Sequence, residues 1–136
     1  MAVMSQEVKD LFEKVPTLVF ATASEDAQPN ACIVGMKFVI DDETLYLSDQ
    51  FFNKTLDNVK RNPRVSVVFW EGHDAFQIHG TATYVNEGER FEELKAKVDA
   101  IFAEKGAPIK AKGGVFVHVD AVYSSASGPH AGEQIA

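Results

Sequence analysis

Short segments rich in β-branched and aromatic residues, separated by turn signals, are the feature that most constrains how this chain can fold. Six such segments occur, at residues 17–23, 30–40, 44–48, 64–70, 76–85 and 113–123. The polar stretch 24–29 and the triplet Asp41-Asp42-Glu43 join the first three by short turns, which is the antiparallel kind of connection. Strands do not alternate regularly with long helices, so the order predicts an antiparallel barrel with a few helices and not a doubly wound sheet.

Three segments with helical spacing interrupt the predicted strands. Ser5 is an N-cap residue type, and the helix that follows it must end at Pro16. A short helix is predicted over residues 54–62. The most periodic helix, over residues 87–105, has a stripe of apolar side chains that is typical of packing in a core or in a dimer.

Composition bounds the class of protein. A chain of 136 residues without internal repeats or a low-complexity linker predicts one domain over residues 1–136, with residues 124–136 as a tail. The net charge of −7 argues against a general binder of nucleic acid or of anionic membranes.

Cysteine content and hydropathy indicate the compartment. Cys32 is the only cysteine, which excludes an internal disulfide and fits a reducing environment. No apolar signal-peptide region follows the N-terminus, and no apolar run approaches the length of a membrane span. We therefore expect a soluble, cytoplasmic protein.

The predicted helix at residues 54–62 begins with residue types that suit a phosphate group. A helix N-terminus presents unpaired backbone N–H groups and a partial positive charge, and Lys54 adds a full charge there. Ser48 and Thr55 add hydroxyl donors, and Lys37 on a neighbouring strand is a second possible cation. An ordinary explanation stays open, in which Asn53 caps the helix and Lys54 is solvated.

The strand before this helix contains an apolar run, Cys32-Ile33-Val34-Gly35. Glycine weakens a strand, and close approach of a ligand or of another backbone is one reason for its presence. A flavin ring needs a flat apolar slot with backbone donors at its edge, which such a strand can supply. A β-bulge or a bend of the barrel at Gly35 explains the glycine equally well.

Several short motifs follow one another in a characteristic order between residues 8 and 123. They are Pro29, Asp42, Leu45-Tyr46-Leu47-Ser48, Lys54-Thr55, Asn62-Pro63-Arg64-Val65, and FQIHGTA at residues 76–82. Each motif is loose, but their joint order and spacing resemble the pyridoxamine 5′-phosphate oxidase-like family of FMN-binding split barrels. The resemblance implies a mainly β fold, a six-stranded antiparallel split β-barrel that is Greek-key-like and has flanking helices.

The resemblance also implies FMN as cofactor, a homodimer with two FMN sites at its interface, and particular site residues. Lys54 and Thr55 would hold the FMN phosphate, and the segment from Cys32 to Gly35 would lie along the isoalloxazine ring and ribityl chain. The remaining donors to the ring edge and phosphate would be Ser48, Asp49, Gln50 and Asn53. Trp70 or Gln77 of a partner subunit would complete each site.

Three functions stay open at this point. The first is an FMN-dependent oxidoreductase that exchanges electrons with a small-molecule or protein partner; the second is a non-catalytic FMN carrier. The third is a split barrel that handles haem or vitamin B6, with His118 or His130 as a conceivable haem ligand. The C-terminal substrate-binding signature of true pyridoxamine phosphate oxidases is not recognisable here, which argues against vitamin B6 oxidation. No acid–base or nucleophilic constellation of side chains is evident.

Overall fold

The structure, a computed structural model, describes residues 2–136 and is mainly β. Its seven strands are β1 (Leu18–Ala23), β2 (Pro29–Val34), β3 (Lys37–Asp41), β4 (Thr44–Asp49), β5 (Arg64–Glu71), β6 (Asp74–Val85) and β7 (Gly113–Ser124). Its three helices are α1 (Gln6–Lys14), α2 (Lys54–Arg61) and α3 (Glu89–Glu104). All three predicted helices are therefore confirmed, each within a few residues of its expected bounds.

All seven strands form one sheet with the order β2-β1-β5-β6-β7-β4-β3, and every neighbouring pair is antiparallel. Strands β5, β6 and β7 are adjacent in sequence and in space, while β4 lies on the far side of β7. This arrangement is a Greek key in which α2 belongs to the long connection between β4 and β5. The antiparallel, Greek-key-like fold predicted from the sequence is confirmed.

The predicted strand count of six was one too low. The segment expected to be one strand over residues 30–40 is two strands, β2 and β3, separated by Gly35 and Met36. β2 pairs with β1 at one edge of the sheet, and β3 pairs with β4 at the other. Because two residues span less than about 10 Å, the two edges must come together, and the sheet curls into a barrel that is split at this point. A bend of the barrel at Gly35, one of the explanations that the sequence left open, is present in the structure.

The main hydrophobic core fills the barrel. It includes Phe20, Leu47, Val67 and Ile78, none of which has exposed surface. Helix α1 closes one end, with the ring of Phe12 meeting the ring of Phe69 edge-on at 5.4 Å between centroids. Burial of such side chains contributes roughly 1.5–3 kcal/mol each, so α1 is held by this packing as well as by its cap.

A second core lies on the outer face of the sheet under α3. Phe38, Tyr46 and Val98 are buried there, and the end of α3 brings Phe102 towards the junction between β2 and β3. The apolar stripe of α3 therefore serves the core of its own chain. Within residues 2–136, no helix is long and apolar enough to cross a bilayer.

The C-terminal tail folds back on the end of β7. The backbone N–H of Ser124 donates to the carbonyl of Glu133, and that of Ile135 donates to the carbonyl of Val122. Tyr123 and Gln134 form an antiparallel bridge. The tail thus supplies backbone partners to an otherwise open strand edge of its own chain.

Candidate functional site

A cavity of about 520 Å³ opens where the barrel is split, between β2, the start of α2 and the end of α3. This volume lies within the range of small-molecule and cofactor sites. Nine of the ten residues predicted to bind a cofactor line it. They are Cys32, Ile33, Val34, Gly35, Ser48, Gln50, Asn53, Lys54 and Thr55.

The N-terminus of α2 forms one end of the cavity. Asn53 occupies the cap position, but its side chain makes no hydrogen bond to the first-turn N–H groups. Those backbone donors are therefore not satisfied by a cap, and they lie beside the side chains of Lys54 and Thr55. A helix N-terminus with an adjacent ammonium group is chemically suited to an anion such as phosphate.

A hydrogen-bonded network joins this helix to the strands. The side-chain nitrogen Nδ2 of Asn30 donates to Thr55 Oγ1 at 3.0 Å and to Thr22 Oγ1 at 3.1 Å. Thr22 Oγ1 also accepts from Asn58 Nδ2 at 3.0 Å. Thr55 in turn donates to Cys32 Sγ at 3.3 Å. The network fixes the first turn of α2 against β1 and β2 and gives the cavity a rigid polar floor.

Cys32 is a half-buried free thiol in this floor. Burial raises its pKa, and the hydrogen bond from Thr55 opposes that rise only in part. The thiol therefore stays protonated near neutral pH, which makes it a weak nucleophile.

The remaining walls are largely apolar. Phe51 and Phe52, in the loop between β4 and α2, form one side, and Phe102 and Ile109, from the region around the end of α3, form another. Lys105 adds a second ammonium group to the rim. Phe51 is one of the lining side chains and leaves 78% of its surface exposed.

Sequence reasoning missed these aromatic and α3-derived walls. Phe102, Lys105 and Ile109 come more than forty residues after the end of α2, and nothing in their local pattern points to the cavity. Asn30 was also missed, although its position two residues before Cys32 placed both on one face of the strand.

Asp49 is the one predicted site residue that does not line the cavity. Its side chain is fully buried, with Oδ2 accepting from the Tyr84 hydroxyl at 2.6 Å and Oδ1 accepting from the backbone N–H of Phe52 at 2.9 Å. Lys37, considered as a second cation for phosphate, also lies elsewhere. Its ammonium group donates to the carbonyl of Glu13 at 3.4 Å and lies over the ring of Phe12, and burial lowers its pKa.

Within residues 2–136, no histidine lines the cavity and no group of three or more metal-ligating side chains is assembled. His130 contacts Glu133 at 2.8 Å in the tail, and the ring of His79 in β6 packs against that of Tyr123 in β7. His118 lies within β7, opposite Thr44 and Thr81.

The split antiparallel barrel with a cavity at its seam defines a class of β-barrel domains, and comparison with known proteins identifies the family. The profile of the pyridoxamine 5′-phosphate oxidase family matches residues 4–126. The chain therefore belongs to the pyridoxamine 5′-phosphate oxidase family. It is also 35% identical over 132 residues to an uncharacterized protein of Methanocaldococcus jannaschii, covering 95% of this chain and 85% of that protein.

Solved structures share the fold at lower identity. HupZ of Group A Streptococcus superposes with a TM-score of 0.77 at 24% identity, covering 95% of this chain and 99% of HupZ. An FMN-binding protein of Syntrophomonas wolfei gives 0.72 at 16% identity, covering 85% and 82% of the two chains. HutZ, the haem storage protein of Vibrio cholerae, gives 0.67 at 18% identity, covering 90% and 95%. At these identities the likeness concerns the fold.

Proposed function

We propose that this protein is an FMN-binding flavoprotein that acts as an oxidoreductase, using the seam cavity as its cofactor site. The observation that carries the proposal is the gathering of Lys54, Thr55 and the uncapped start of α2 in a cavity whose other walls are largely apolar. FMN has the matching distribution of chemistry, with a doubly charged phosphate at one end and a flat, largely apolar ring at the other.

The residues at the phosphate end fit this group. The backbone N–H groups at the start of α2 lack a side-chain cap, and Thr55 is held with its hydroxyl in the cavity floor by Asn30. Lys54 would supply a charge-assisted bond to the phosphate, and Lys105 on the rim would reinforce the positive potential. These features support a dianion more than a neutral ligand.

The residues at the ring end fit as well. The apolar side chains of Val34 and Phe52 line the cavity, and so do Ser48 and Gln50, which hydrogen-bond to each other. The strand from Cys32 to Gly35 provides backbone donors and acceptors along an edge. A fused ring system with a polar pyrimidine edge suits such a slot.

The chemistry of the lining side chains favours a redox function over hydrolysis or group transfer. Among the described residues, no carboxylate or imidazole lines the cavity, and the Cys32 thiol is held protonated by burial. The chain's own residues therefore bind and orient a cofactor, exclude water from it and set its electrostatic surroundings. A bound flavin would supply the hydride or electron transfer itself.

We also propose that the working unit is a homodimer with FMN at the interface. Trp70 leaves 51% of its surface exposed on the outer face of β5, and Gln77 lies on the adjacent β6 opposite Val68. Neither residue lines the cavity of its own chain. They would complete a cavity only from a second copy, and the exposed Ile33 and Phe51 are apolar surface for such a copy to cover.

A non-catalytic FMN carrier is the second candidate. It uses the same site, and only the way in which the flavin is reduced distinguishes the two. An enzyme would turn over with a reduced nicotinamide or a reduced deazaflavin, whereas a carrier would be reduced by a partner protein. We also propose a cytoplasmic location. The single cysteine is a free thiol, which fits a reducing compartment.

The deciding experiment is the visible spectrum of freshly purified protein, followed by release of the chromophore and its identification by chromatography. Flavin bands and released FMN would support the proposal, as would stoichiometric uptake of added FMN by colourless protein. A colourless protein that does not bind added FMN would contradict it. A Soret band would replace it with haem binding and direct attention to His118 and His130.

A further inference from the structure

Asp49 is a buried carboxylate at the point where β4 passes into the loop that forms one wall of the cavity. The residues on either side of it, Ser48 and Gln50, line the cavity, but Asp49 points into the protein and has no exposed surface. A buried carboxylate is costly unless it is paired and hydrogen-bonded, so its partners indicate what it is used for.

The partners of Asp49 converge from three segments. Oδ2 accepts from Tyr84 of β6 at 2.6 Å, Oδ1 accepts from the backbone N–H of Phe52 at 2.9 Å, and the ammonium group of Lys112 is 3.8 Å from Oδ1. Burial, and after it the hydrogen bond to Asp49, raise the pKa of Tyr84, so its hydroxyl remains a donor.

Lys112 also bonds to this loop, and Asp49 and Lys112 together are called the clamp below. Its backbone N–H donates to the carbonyl of Asp49 at 2.9 Å, and its ammonium group donates to the carbonyl of Phe52 at 2.9 Å. Both backbone polar groups of Phe52 are therefore held, the N–H by Asp49 and the carbonyl by Lys112. Gln50, Phe51 and Asn53, on either side of Phe52, all line the cavity.

The same cluster reaches α2. The ammonium group of Lys60, in the last turn of that helix, lies 5.5 Å from the centroid of the Tyr84 ring. A cation over a tyrosine ring is attracted to its face. Tyr84 thus contacts both the carboxylate that holds the loop and the helix that presents Lys54.

We propose that Asp49 and Lys112 are positioning residues that hold the loop at residues 50–53 in its binding conformation, although neither touches the ligand. The inference rests on the proposed cofactor site. It predicts that disturbing the clamp weakens binding of the ring end of FMN and leaves the phosphate contribution of Lys54 intact.

The test uses Lys112→Met, because Lys112 is exposed and its loss should be tolerated by the fold. Lys110→Met is the matched control, since it removes the same charge from the same segment without a contact to the loop. The affinities of wild type and variants for FMN and for riboflavin are measured by quenching of flavin fluorescence. Lys112→Met removes the hydrogen bond from the Lys112 ammonium group to the Phe52 carbonyl. The dissociation constants of FMN and riboflavin should both rise by about the same factor, roughly three- to tenfold, and only in this variant.

Two further measurements separate positioning from general destabilisation. The first is hydrogen exchange in the absence of any flavin. The backbone amide of Phe52 should exchange with solvent at least about tenfold faster in Asp49→Ala than in wild type, while amides of the β5–β6 pair exchange at unchanged rates. The visible circular dichroism of bound flavin should change in Lys112→Met when the protein is saturated.

Equal affinities and spectra in Lys112→Met and Lys110→Met would overturn the inference while leaving FMN binding established. Failure of the wild type to bind either flavin would instead overturn the proposed function together with this inference.

Discussion

The Thr55 hydroxyl donates a hydrogen bond to Cys32 Sγ at 3.3 Å, and this contact joins the first turn of α2 to the middle of β2. Thr55 is 4% exposed and also accepts from Asn30 at 3.0 Å. One side chain thus ties the proposed phosphate end of the cavity to the strand proposed to lie along the flavin.

Replacing Thr55 should therefore affect both stability and binding. Thr55→Val keeps the shape but removes one of the two acceptors of the Asn30 side-chain amide, so we expect a loss of about 1–2 kcal/mol in the free energy of unfolding and weaker FMN binding. Thr55→Ser keeps the hydroxyl and is the control. Denaturant unfolding and FMN titration measure the two effects; equal values for the two variants would show that the hydroxyl is unimportant.

Lys54→Ala should weaken FMN binding selectively. A charge-assisted hydrogen bond contributes about 1.5–3 kcal/mol, which corresponds to a rise of roughly 10- to 100-fold in the dissociation constant. Riboflavin lacks the phosphate, so its affinity should change little. Lys110→Ala serves as a control for the loss of positive charge. If FMN and riboflavin lose affinity equally in Lys54→Ala, the phosphate does not lie at the start of α2.

Cys32 should react slowly with alkylating agents at neutral pH. Burial raises its pKa above the ordinary value of 9.0, and for a thiol this means that the unreactive protonated form persists to higher pH. The rate of alkylation by iodoacetamide, followed by mass spectrometry, should rise with a midpoint above pH 9. In Thr55→Val the midpoint should move higher still, since the hydrogen bond from Thr55 lowers the pKa. Full modification within minutes at pH 7 would contradict the buried, protonated thiol.

Two tyrosines offer a paired test of buried hydroxyl groups. Tyr46 is fully buried, and its hydroxyl has no hydrogen-bond partner among residues 2–136, whereas Tyr84 donates to the buried Asp49. Tyr84→Phe leaves a buried carboxylate oxygen without its donor and should cost about 1–3 kcal/mol. Tyr46→Phe should be nearly neutral or stabilising. Thermal unfolding measures both, and a larger loss in Tyr46→Phe than in Tyr84→Phe would contradict the hydrogen-bond assignment.

Trp70→Glu should separate the proposed dimer. A charge placed in an apolar interface costs several kcal/mol. The mass measured by light scattering should therefore fall from twice the 14.9 kDa chain mass to the monomer value. FMN should also bind more weakly. Val3→Glu introduces the same charge at another exposed apolar residue, near residues 41–43, and should leave the mass unchanged. A wild-type protein that binds FMN as a monomer would refute the interface site.

Local pattern determined much of the secondary structure and one end of the site. The β-rich segment at residues 113–123 and the apolar stripe of the helix predicted over residues 87–105 were enough to predict β7 and α3, because both patterns are local in the sequence. The segment from Ser48 to Thr55 and the run from Cys32 to Gly35 were also identified, since cap residues, hydroxyls and a strand glycine are local signals. Through the motifs, the same stretches indicated the family.

Tertiary structure alone decided what closes the cavity and which way its side chains point. The split of residues 30–40 into β2 and β3 accompanies the curl of the sheet, in which the two edges come together at Gly35 and Met36. Asp49 turned inward because Tyr84 and Lys112, distant in sequence, meet it there. Phe102 and Ile109 line the cavity because the packing of α3 brings the region around the end of that helix to it. Contacts between distant segments depend on how whole elements pack, and no short-range period encodes them.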